Sequence, residues 1–180
     1  MNKIVYLILV ILIIASCTSN EEKQKKEKQS IETNIARLEK IISNDTTGQI
    51  NIAAAYEIIR NYASYSYKFP NDSNTPEYIF RMANILNALG KFREAVEAFH
   101  KIESKYPDYN KLDICIFLQG NIYETELKDL EKARYYYELF IQKYPSHPLS
   151  KDVKVLLENL GKSPEELLKS IQQKNKHLSS

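Results

Sequence analysis

The chain has 180 residues, with 25 Lys and Arg against 23 Asp and Glu, and only two cysteines, Cys17 and Cys115. So even a charge balance supplies no field for phosphate backbones, so nucleic acid is not expected among the partners. Two cysteines exclude a disulfide framework, and four isolated glycines (Gly48, Gly90, Gly120, Gly161) exclude a glycine-rich phosphate loop.

Met1-Asn2-Lys3 makes a short basic start, and Ile4 to Ile14 is an unbroken apolar run. Such a run is too short for a spanning helix, which needs about 20 residues, and suits a targeting segment. It ends in Ile14-Ala15-Ser16-Cys17, which resembles the lipobox of bacterial lipoproteins. The resemblance implies residues 1–16 as a signal peptide, thioether lipidation of Cys17, and palmitate-type acylation of the new amino terminus. The other reading is an ordinary secretory signal followed by a chance cysteine. Residues 17–29 hold no apolar side chain after the cysteine and run through Glu21-Glu22-Lys23-Gln24-Lys25-Lys26-Glu27-Lys28-Gln29, which predicts a solvated charged tether.

The period then becomes helical. Ile31, Ile35, Leu38, Ile41 and Ile42 mark a first helix, broken by Asn44-Asp45-Thr46-Thr47-Gly48. A second is predicted from Ile50 to Tyr67, with Ile52, Ala55, Ile59 and Tyr62 on its apolar face, and it stops before Pro70. Further helices follow over Glu77–Leu89, Phe92–Lys105, Leu112–Glu126, Leu130–Lys143 and Pro148–Leu160. The last starts at Ser163-Pro164-Glu165-Glu166, where serine and glutamate have the spacing of a capping box. The class is all-α, with about eight helices. Cys115, inside Ile114-Cys115-Ile116-Phe117, reads as a small core residue.

Three of these helices close on nearly the same word: Lys68-Phe69-Pro70, Lys105-Tyr106-Pro107 and Lys143-Tyr144-Pro145, the prolines 37 and 38 residues apart. Registered on them, Tyr62, Phe99 and Tyr137 stand eight residues before the proline, Tyr65, Ile102 and Phe140 five before, and Ile58, Ala95 and Ala133 twelve before. A period of this length marks a solenoid of helix pairs. The words Ile79, Met82-Ala83, Leu86, Gly90, Ala95, Phe99, Ile102 and Pro107 resemble a tetratricopeptide repeat. Ile116, Gln119-Gly120, Tyr123, Ala133, Tyr137, Phe140 and Pro145 resemble a second, which departs at Gln119 and by one extra residue in the turn Glu124 to Asp129. The unit ending at Pro70 matches only in its second helix. The resemblance implies a right-handed superhelix of antiparallel helix pairs, about three repeats over 30–147, followed by a capping pair over 148–180 with a polar outer face.

No metal or cofactor is expected: His100, His147 and His177 are scattered, and no nucleophile elbow, HExxH or CxxC occurs. An enzyme is therefore not the reading. In tetratricopeptide arrays the first helix of each pair lines a concave groove for a partner segment. That resemblance places Phe80, Asn84 and Asn87 of one unit, and Phe117, Asn121 and Glu124 of the next, toward it as partner-binding residues. The competing reading is ordinary interhelix packing for the phenylalanines and solvated asparagines. Tyr135 and Tyr136 are expected to be exposed beside a buried Tyr137. Similarity to repeats of outer-membrane assembly lipoproteins implies a lipid-anchored adaptor at the outer membrane, on its periplasmic face or at the cell surface. A carrier of a small ligand, glycan or peptide is the alternative, and oligomeric state stays open.

Overall fold

The computed structural model describes the backbone of residues 2–44, 51–169 and 172, and the side chains of 21–44, 51–169 and 172. Among these the chain is all-helical: α1 (Asn2–Ser43), α2 (Ile52–Lys68), α3 (Thr75–Ala88), α4 (Phe92–Lys105), α5 (Leu112–Thr125), α6 (Leu130–Lys143) and α7 (Ser150–Asn159). A short helical segment, 164–169, follows. The helices fall into two compact units, Met1–Tyr78 and Ile79–Ser180. The expected break at Asp45 to Gly48 and the side chains of the signal segment, Cys17 included, lie outside the described residues. Among the described residues no helix is long and apolar enough to cross a membrane.

In the first unit α1 packs on α2 through Ile31, Ile35 and Leu38 against Ala54, Ala55, Ile58, Tyr62 and Tyr65, all buried. Asn51 caps α2 by accepting from the Ala54 amide at 3.0 Å. Two sequence expectations are corrected. Ile52 is 60 % exposed, and the buried stripe starts two residues later at Ala54 and includes Ile58 rather than Ile59. The tether, residues 17–29, is helical and continuous with the first repeat helix, since α1 runs through both. Its charged residues up to Glu27 are solvated as expected, but Glu27 pairs with Lys68, and Lys28 with Asp72. Charges that find no apolar surface to cover find opposite charges on α2 and the loop after it.

Tyr65, fully buried, donates its hydroxyl to Glu32 and Asp72, both at 2.9 Å. Asp72 also accepts from the Asn74 amide at 2.9 Å. Burial pulls the Asp72 pKa up, but the Lys28 ammonium, the Asn74 amide and the Tyr65 hydroxyl together outweigh it and hold the carboxyl below its ordinary range. A group with a depressed folded pKa contributes stability above its unfolded value, about 3.9, and that contribution is lost as pH falls through the folded value. Acid unfolding of the intact chain, followed by circular dichroism, is therefore expected to begin just below pH ~4. Asp72→Asn should be less stable at neutral pH and respond less steeply to acid.

The three Lys-aromatic-Pro words fold alike. Phe69, Tyr106 and Tyr144 each end a helix at φ near −130° and ψ near 60°, their amides donating to Tyr65, Ile102 and Phe140. The carbonyl of each then accepts from the amide three residues on, at 3.0–3.1 Å: Asp72, Tyr109 and His147. A buried hydroxyl completes the loop in two cases, Thr75 donating to Phe69 at 2.6 Å and Ser150 to Tyr144 at 2.5 Å. Leu112 fills that place in the middle loop. The residue two after each proline reaches back to the first helix of its own pair: Asp72 to Lys28, the Tyr109 ring to Phe80 at 6.1 Å, and His147 Nε2 to Asp113 at 3.2 Å. The Pro70 unit is thus built on the plan of the other two, which its sequence showed only in part.

In the second unit the residues registered on the prolines are the core. Ala95, Phe99, Ile102, Ala133, Tyr137 and Phe140 are all fully buried. Gly120 is the closest approach of α5 to α6: a Cβ built there would lie 2.8 Å from the Tyr137 ring and 3.3 Å from Tyr136 Cβ. Cys115 is buried, and desolvation pushes its thiol up to about 12, so it acts as a small apolar residue, as its surroundings in the sequence suggest. Ser163 and Glu166 form the reciprocal capping box expected of them, at 2.8 and 3.2 Å.

The extra residue in the second turn is absorbed at Lys128. In the first repeat Gly90 takes the left-handed conformation (φ 72°) just before α4, and the Lys91 amide bonds back to Leu86. In the second repeat Lys128 stands in the corresponding place at φ 55°, and the Asp129 amide reaches one residue further back, to Tyr123. A non-glycine residue in this region costs roughly 1–2 kcal/mol. Lys128→Gly is expected to raise the urea midpoint, by about 1 kcal/mol in stability, an increase that glycine gives nowhere else in this turn.

Candidate interaction surface

The two stripes named from the sequence lie on α3 and α5, and all six of their side chains are half-buried. On α3, the Phe80 ring packs edge-on to Phe99 (5.9 Å) and against Tyr109, with the Lys111 ammonium 4.9 Å from its centroid. Asn84 donates to the Phe80 carbonyl at 2.8 Å, inside its own helix. On α5, Phe117 packs on Tyr137 (6.3 Å) and Phe140 (6.2 Å). Both phenylalanines therefore serve interhelix packing while keeping part of their surface open. Tyr109 and Lys111, which frame Phe80, were not singled out in the sequence; the signal that finds Tyr109 is its place two residues after a proline.

The polar members are more committed than their type suggests. The Tyr137 hydroxyl donates to Glu124 at 2.6 Å and is also hydrogen-bonded to Asn121. Burial first, and then the Glu124 carboxylate, push the Tyr137 pKa up, keeping the phenol protonated and donating. The first unit repeats this pairing, with Tyr62 donating to Glu39 at 2.7 Å. Asn87 occupies the same register between Glu39 and Glu124, but its core partner there is Phe99, which has no hydroxyl. This accounts for the buried Asn87 Oδ1 that lacks a hydrogen-bond partner. Phe99→Tyr is expected to supply the missing donor and raise stability by about 1 kcal/mol, read from thermal unfolding; loss of stability would show that the hydroxyl has no room.

Tyr136 departs from expectation. Tyr135 is 58 % exposed, but Tyr136 is buried, stacked on Tyr123 (5.7 Å, 9° between planes). Gly120 lets α6 close enough to α5 for that ring to be covered. The outer face of the C-terminal pair departs as well. Lys169 and Gln172 are exposed, as a polar face requires, but Val155 and Leu168 are 50 % and 59 % exposed.

What the arrangement offers is a set of half-open aromatic and amide side chains at repeating positions. Among the described residues no three His, Cys, Asp or Glu side chains converge on a metal-sized site. The family model for the tetratricopeptide repeat matches residues 77–109 and 115–147. The chain thus carries two tetratricopeptide repeats, each running from the first helix of a pair to the residue two after its closing proline. No curated protein matches the sequence.

Proposed function

We propose that the chain is a non-enzymatic adaptor, lipid-anchored through Cys17 at the bacterial outer membrane, that holds a segment of a partner protein against α3 and α5. Tetratricopeptide repeats generally mediate protein–protein interactions, and two are present. The observation that carries the reading is the repetition of a half-open phenylalanine and asparagine at the same two positions, Phe80 and Asn84, then Phe117 and Asn121. A phenylalanine offers an apolar platform, and an asparagine both donates to and accepts from a peptide backbone. Glu124 and Asn87 contribute less directly, since the first is engaged by Tyr137 and the second is turned inward at its oxygen. The anchor rests on the lipobox-like Ile14-Ala15-Ser16-Cys17.

The test is crosslinking of the tagged chain in its own cells, with recovered proteins identified by mass spectrometry. A Phe80→Ala, Asn84→Ala, Phe117→Ala, Asn121→Ala variant, shown by circular dichroism to be folded, runs beside it. One protein recovered with wild type and missing from the variant is the expected result. Equal recovery would move the binding face elsewhere, and no recovered protein would overturn the adaptor. Cys17→Ser should release the chain from the membrane fraction; continued membrane association would remove the lipid anchor.

A further inference from the structure

We infer that the chain has a second docking groove at its C-terminal end, shaped for an amphipathic, acidic segment of a partner protein. The groove has a volume of about 500 Å³ and lies between the α5–α6 turn, α7 and segment 164–169. Leu130, Val155, Leu156 and Leu167 line it, and Leu130 and Val155 are 42 % and 50 % exposed. A final helix pair that only closed a solenoid would present polar side chains there.

The rim decides what fits. Lys128 and Lys162 stand on it, and neither forms an ion pair within the described residues; Lys162 bonds only to the neutral Asn159, at 3.1 Å. The one acidic side chain lining the groove, Glu124, is engaged by the Tyr137 hydroxyl, and the two lysines outnumber it. Apolar lining between two unpaired ammonium groups complements a segment that carries carboxylates beside its apolar side chains. Both lysines are exposed at tight turns: Lys128 sits in the left-handed region, and Lys162 follows Gly161 at φ 78°. The φ of Gly161 strains any L side chain, and a Cβ there would also displace Leu130 Cδ1, 2.8 Å away. The volume falls within the roughly 300–1,000 Å³ of pockets that bury a drug-sized ligand, which is the bulk of a few side chains. A second copy of the chain would need to bury about 800 Å² on each partner, far more than a groove of this size presents.

This groove shares only Glu124 with the α3–α5 face, and the test separates them. A displayed random-peptide library is panned against the folded chain, and the retained peptides are re-tested on Val155→Asp and on the Lys128→Glu, Lys162→Glu double variant. Both variants change exposed side chains, and thermal unfolding checks that they stay folded. The expected result is a class of peptides rich in Asp or Glu beside Leu, Ile or Phe that Val155→Asp no longer retains. Their affinity should fall about tenfold in the lysine variant. Peptides lost only in the Phe80 and Phe117 variant would report on the other face. The inference is overturned if no peptide is sensitive to Val155→Asp, or if the sensitive ones are basic. It is also overturned if sedimentation shows a wild-type dimer that Val155→Asp abolishes, which would give the groove to a second copy.

Discussion

Gly120→Leu is expected to destabilise the second unit by about 3 kcal/mol, at the upper end of what overpacking costs. The reason is local. Even a single added carbon would meet the Tyr137 ring at 2.8 Å, and that ring cannot swing aside because its hydroxyl is tied to Glu124 and Asn121. Tyr136 closes the other side, stacked on Tyr123. Leucine has the better helix propensity by nearly 1 kcal/mol, so the substitution would stabilise α5 if the position were open. Urea unfolding followed by circular dichroism separates the two cases by sign. A midpoint at or above wild type would mean that α5 and α6 do not meet at Gly120.

Phe140→Ala should cost more, about 3–5 kcal/mol. Phe140 is fully buried and is the hub of one aromatic cluster: Phe117 at 6.2 Å, Tyr144 at 5.7 Å and His147, edge-on, at 5.3 Å. Its carbonyl also accepts the Tyr144 amide that ends α6. The cavity therefore opens where the closing loop is seated, and little can collapse into it. For a unit of this size a loss of that order lowers the melting temperature by roughly 15 °C or more. A fall of only a few degrees would show that the loop after α6 is not held by this ring.

The period of the prolines located the core better than hydropathy did. Positions counted back from Pro70, Pro107 and Pro145 gave the buried Tyr62, Phe99 and Tyr137 without error, because a side chain repeated at one register meets the same neighbours each time. Hydropathy alone placed Ile52 inside, yet at the first turn of α2 nothing described covers it. It also left Tyr136 outside, since the cover of that ring depends on a glycine sixteen residues earlier. The positions of the candidate face could be named from the sequence, but the hydrogen bonds of its polar members could not. Asn121 and Glu124 look like solvent-facing polar groups in a sequence, and only the neighbouring helix shows that a buried phenol takes them. Nothing in the sequence singles out Lys128; that it stands where the first repeat needs Gly90 follows from the extra turn residue, but the sign of its φ does not.

The unbroken α1 changes what a lipid on Cys17 would do. A flexible leash over 17–29 would let the repeats sweep a volume with a root-mean-square reach of about 20 Å, collapsing onto the headgroups as often as extending from them. The helix has nearly the same length, about 1.5 Å per residue, but it is a strut, and Glu27 and Lys28 bolt its far end to Lys68 and Asp72. With Cys17 lipidated as proposed, the stand-off of the first helix pair from the bilayer would be fixed. The α1–α2 pair would then stand at a set height above the headgroups instead of sweeping down onto them.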